Sequence, residues 1–89
     1  MKIKNEYVIK TIGDEIIVVP IKDEAVKFNG IISLNKTGAY IFELLQKENL
    51  TKKELFSKML KKFDIDEKTL EIDVAKFIEK INKHDLLQD

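Results

Sequence analysis

At Asn35 the apolar pattern of this chain changes period, from two residues to between three and four, so a sheet must come first and helices after it. Before the switch, Tyr7-Val8-Ile9-Lys10-Thr11-Ile12 and Ile16-Ile17-Val18-Val19-Pro20-Ile21 are β-branched runs separated by Gly13-Asp14, which predicts a hairpin. The second run is apolar at both parities and belongs in the middle of a sheet, with Pro20 at its end, where a missing ladder donor is tolerated. Lys22-Asp23-Glu24 supplies the next turn. A third strand is expected from about Val26 to Leu34. Its even residues Val26, Phe28, Ile32 and Leu34 face the core, and Lys27, Asn29, Ile31 and Ser33 face away. Gly30 marks a bulge or a close backbone approach. In a simple meander this third strand is an edge.

After the switch, Asn35 is placed to cap a first helix reaching about Lys47, with Ile41, Leu44 and Leu45 inward. Thr51-Lys52-Lys53-Glu54 is a capping box flanked by the staple pair Leu50 and Leu55. The second helix it opens should bury Leu55, Phe56, Met59, Leu60 and Phe63. Asp66 caps a third helix, Ile65 and Leu70 repeat the staple spacing, and Leu70, Val74, Phe77, Ile78 and Ile81 share an arc of about 100°. Leu86-Leu87 is expected to pack back on the core. The reading is an α+β fold, a three-stranded antiparallel sheet followed by three helices, compatible with a winged helix-turn-helix. With 89 residues, of which 44% are hydrophobic, the chain is expected to form one domain over 1–89.

Function classes fall away in turn. Without Cys there is no disulfide, thiolate metal site or Cys nucleophile, which suits a reducing, cytoplasmic setting. No signal-peptide pattern occurs near Met1, and no apolar run approaches the roughly 20 residues of a membrane span. The single His, His84, falls near the end of the third helix, where it complements the helix dipole better than it serves a metal or proton transfer. No phosphate-binding glycine loop, HExxH or CxxC is present. The expectation is a chain that is not an enzyme and takes no cofactor or metal.

A winged-helix nucleic-acid-binding protein is the alternative reading. All sixteen basic residues are Lys, balanced by sixteen acids, so the bidentate guanidinium readers of guanine and phosphate are missing. Asp64, Asp66, Glu67, Glu71 and Asp73, with Lys68 alone between them, would also bring negative charge to phosphates. Lys52, Lys53, Lys58, Lys61 and Lys62 on the second helix keep a backbone-only contact open.

Phe28-Asn29-Gly30-Ile31-Ile32-Ser33-Leu34-Asn35, followed by Lys36-Thr37-Gly38-Ala39-Tyr40-Ile41-Phe42-Glu43-Leu44-Leu45, resembles the central signature of the PqqD family. That signature is an apolar strand ending in Leu-Asn, a small-residue turn into a helix, and an aromatic or apolar pair before Leu-Leu. Glu71-Ile72-Asp73-Val74, Phe77-Ile78 and the closing Asp85-Leu86-Leu87 are similar to the family's third helix and tail. The resemblance spans nearly the whole chain. It implies a non-catalytic recognition domain that captures the leader of a ribosomally made precursor peptide and hands it to a radical SAM enzyme or another maturase.

The resemblance further implies that the leader adds as a strand beside Asn29, Gly30, Ile31, Ile32, Ser33 and Leu34 and touches the third helix. There Asp73, Lys76 and Lys80 flank Phe77 on one side, while Ile72, Ala75 and Glu79 lie nearly opposite. The first flank fits the family arrangement, and the exposed Ile72 keeps the second open. An unpaired third-strand edge would equally serve a homodimer, which the sequence does not separate from peptide capture.

Overall fold

A computed structural model of the chain describes residues 1–21 and 32–88. The expected turn at Lys22-Asp23-Glu24 and the third strand before Ile32, including Val26, Phe28, Asn29, Gly30 and Ile31, lie outside the described residues. Among the described residues the order is β1 (Lys2–Ile3), β2 (Tyr7–Ile12), β3 (Glu15–Pro20), β4 (Ile32–Leu34), α1 (Lys36–Lys47), α2 (Lys52–Lys62), α3 (Glu67–Lys83) and β5 (Leu87–Gln88).

β2, β3 and β4 form an antiparallel sheet in that spatial order, so the doubly apolar strand is central as its pattern requires. Ile12 pairs with Glu15 across Gly13-Asp14, and Gly13 takes φ +63°, the geometry of a type II′ hairpin turn. Register then sorts the faces. Ile9 pairs with Val18 and Val18 with Ile32, while Ile16 pairs with Leu34, and this row turns toward the helices. Val18, Ile32 and Leu34 are buried, whereas Ser33 between the last two is exposed, as alternation demands.

Asn35 caps α1 by accepting from the Gly38 backbone N–H at 2.7 Å, and α1 buries Gly38, Ile41, Phe42 and Leu45. Leu44 is only partly buried at the margin of the core, while Phe42 is fully enclosed. Thr51 and Glu54 close the reciprocal capping box of α2 at 2.9 and 3.1 Å. α2 buries Leu55 and Met59, with Phe56 and Phe63 half-buried beside them. Leu60 departs from the expected inward stripe and is exposed. It lies one residue, about 100°, past Met59, which carries it off the buried face of α2. The Tyr40 ring meets Phe63 edge-on at 5.4 Å, joining α1 to the turn after α2.

α3 buries Leu70, Val74, Phe77 and Ile81 and ends in a Schellman motif, with Leu86 N–H donating to Ile81 O and Asp85 N–H to Asn82 O. Asp85 fills the left-handed position at φ +58°, a conformation that Asp, with its short polar side chain, adopts more readily than most residues other than Gly. This reversal buries Leu86 and sends β5 antiparallel onto β1, a two-stranded sheet beyond the three strands expected. Lys4 pairs with Asp85 at 3.2 Å across that junction, and Gln46 of α1 donates to Tyr7 O at 2.6 Å and to Lys4 O at 3.3 Å, tying the two sheets to one helix.

Candidate functional site

β4 and α3 face each other across an open cleft of roughly 420 Å³ lined by Ser33, Leu34, Asn35, Thr37, Gly38, Asp73, Lys76, Phe77 and Lys80. The floor is apolar. Leu34 and Phe77 are both nearly buried there, and Gly38 gives the α1 backbone room to approach: a Cβ on it would lie 3.4 Å from the Phe77 ring and 3.5 Å from Leu34. Asn35, committed to its cap, forms the end wall at the start of α1.

The wall on the α3 side is charged. Asp73, Lys76 and Lys80 fall on one flank of the helix because their spacings of three and four residues return to the same face. Lys80 Nζ crosses the cleft and donates to the Ser33 carbonyl oxygen at 3.1 Å. In an antiparallel strand one residue aims its N–H and C=O toward the same side, and its neighbours aim theirs toward the other. The Lys80 contact therefore gives Ser33 as the β4 residue whose main chain opens on the cleft, with Ile32 and Leu34 turned to β3.

Of the residues singled out from sequence, Ser33, Leu34, Asp73, Lys76, Phe77 and Lys80 are brought together here. Ile32 pairs with Val18 and points its side chain into the core, and Asn29, Gly30 and Ile31 lie outside the described residues. Of the two flanks of α3, the one with Asp73, Lys76 and Lys80 lines the cleft; Ile72, Ala75 and Glu79 do not, and all three are exposed. Thr37 and Gly38 were not singled out, although the small-residue turn after Leu34-Asn35 was their signal.

A second cleft of about 450 Å³ lies between α2 and α3, lined by Lys52, Lys53, Phe56, Glu71 and Val74. Among the described residues no cluster of His, Asp or Glu is arranged to hold a metal ion, and no helix is long and apolar enough to cross a membrane.

Among the described residues, a three-stranded sheet, three helices and a strand edge opening on the third helix together define an α+β fold of the winged helix-turn-helix type. The chain belongs to the PqqD family: the family model described as coenzyme PQQ synthesis protein D matches residues 15–87. Its fold is similar to that of the solved structure "TbiB1 in Complex with the TbiA(beta) Leader Peptide", at a TM-score of 0.67 and 23% identity over 99% of this chain and 95% of that one. No curated protein matches the chain.

Proposed function

We propose that this chain is a non-catalytic peptide-binding domain that captures the leader of a ribosomally made precursor peptide as a strand beside β4. It then presents that leader to a modifying enzyme, a radical SAM enzyme or another maturase. The observation that carries this reading is the main chain of Ser33 opening on a cleft with an apolar floor and a charged helical wall. The TbiB1 structure, which shares the fold, has a leader peptide bound.

The energetics suit a groove more than a bare edge. Ladder bonds at roughly 1 kcal/mol each are largely offset by the roughly 2–5 kcal/mol needed to order a flexible leader. Side-chain seats must therefore supply the net affinity. Leu34 and Phe77 offer the apolar seat, and Asp73, Lys76 and Lys80 offer the polar one. Neither chemistry nor a cofactor is needed for this role.

The test is titration calorimetry with the N-terminal segment of a short precursor encoded beside the gene, followed by mass spectrometry of the peptide. Binding without cofactor and an unchanged peptide mass are expected. A covalent change made by this chain alone would overturn the non-catalytic reading. Binding of random duplex DNA that falls steeply with salt, in place of peptide, would favour the lysines of α2 as a phosphate-contacting surface. Dimerisation abolished by Ser33→Pro, with no peptide bound, would assign the edge to a second copy of the chain.

A further inference from the structure

The lysine that crosses the cleft occupies the group that a docking strand needs. Ser33 O is the acceptor an added strand would use, and Lys80 Nζ already holds it at 3.1 Å. Lys76 stands one turn back along α3 on the same flank, about 6 Å away along the helix axis. Side chains on one face of an extended peptide recur every ~6.6 Å, so the spacing of successive same-face residues in a strand running along α3 matches the rise between these two lysines. Asp73 closes the far end and gives the wall a polarity, with a cationic stretch and one acid.

We propose that Lys80 is a specificity-determining latch: it holds the Ser33 carbonyl until a peptide docks, then turns to a carboxylate on that peptide. The chain thereby selects leaders carrying Asp or Glu opposite Lys76 and Lys80. This rests on the strand-addition reading above. A peptide with the acid releases the acceptor and gains an ion pair in one movement of the Lys80 side chain. A neutral peptide must displace the ammonium without return. Lys80 is exposed, so replacing it leaves the core untouched.

The experiment is selection of displayed random peptides on the full chain and on its Lys80→Met and Lys80→Glu variants, with folding checked by circular dichroism. The unaltered chain should enrich Asp or Glu at a fixed distance from an apolar anchor. Lys80→Met should lose that acid, and Lys80→Glu should replace it with Lys or Arg. A peptide enriched by the unaltered chain should bind Lys80→Met about two- to fivefold more weakly. Its Asp→Asn or Glu→Gln version should bind Lys80→Met at least as tightly as the unaltered chain. An acidic preference that survives Lys80→Glu, or no charge preference at all, would overturn the latch while leaving strand addition standing. Failure of the unaltered chain to enrich any peptide would overturn the strand-addition reading and the latch with it.

Discussion

Gly38 of α1 and Phe77 of α3 meet at the floor of the cleft, with 3.4 Å between the Phe77 ring and the place a Cβ on Gly38 would occupy. The same Cβ would come within 3.1 Å of Asn35 Oδ1, the atom that caps α1 by accepting from Gly38 N–H. A β-branched side chain at this position must displace the ring, the cap or both. Gly38→Val is expected to destabilise the domain by about 1–3 kcal/mol. That corresponds to a fall in Tm of at least ~4 °C, read by a circular dichroism melt. Gly38→Ala should cost far less, because ~0.5–1 kcal/mol of helix propensity is regained against a shift of a few tenths of an ångström.

Ile32 and Ile72 give a matched pair for the placement of the core. Ile32 is 1% exposed between Val18 and the helices, whereas Ile72 is 54% exposed on α3. Ile32→Asp buries a carboxylate without a partner and should unfold the domain, while Ile72→Asp should leave its melting curve within ~0.5 kcal/mol of the parent. Equal losses in both would contradict the register of β4.

The capping box of α2 makes a pH prediction. Glu54 is held below the ordinary Glu range first by its hydrogen bond from the Thr51 backbone N–H and then by the Thr51 side chain. A carboxylate with a depressed folded pKa stabilises the fold above the ordinary Glu range, and that contribution disappears as pH falls through the folded value. Glu54→Gln retains an acceptor for Thr51 N–H but does not titrate. Its Tm should therefore fall less than the parent's as the solution is acidified through and below the ordinary Glu range, with the gap between the two narrowing. Parallel curves would contradict the assignment.

Local signals made most of the fold legible in sequence. The caps at Asn35, Thr51 and Asp66 each depend on residues within three positions, and all three form as read. The central place of β3 was legible because a strand apolar on both faces has no solvent side. What was missed depends on distance or on fine angle. β1 and β5 are two residues each and pair across nearly the full chain, so neither carries a pattern of its own. Leu60 satisfied the hydrophobic count of α2 but falls one step outside its buried face. In the cleft, Ser33, Asp73, Lys76 and Lys80 were legible as an edge residue and a helical flank. The hydrogen bond that joins them was not, because strand pairing decides which main-chain groups face out.

Comparison of Ser33→Pro with Ser33→Ala tests strand addition most directly. Proline removes the Ser33 N–H, which by the Lys80 contact faces the cleft, and alanine keeps it. Ile32→Pro should instead strike the ladder to β3 and the fold itself. The measurement is leader affinity by calorimetry on Ser33→Pro and Ser33→Ala, each shown to be folded. Strand addition beside β4 predicts a loss of about tenfold or more, roughly 1.4 kcal/mol, for Ser33→Pro and little change for Ser33→Ala. An affinity for folded Ser33→Pro within about twofold of the parent would contradict it.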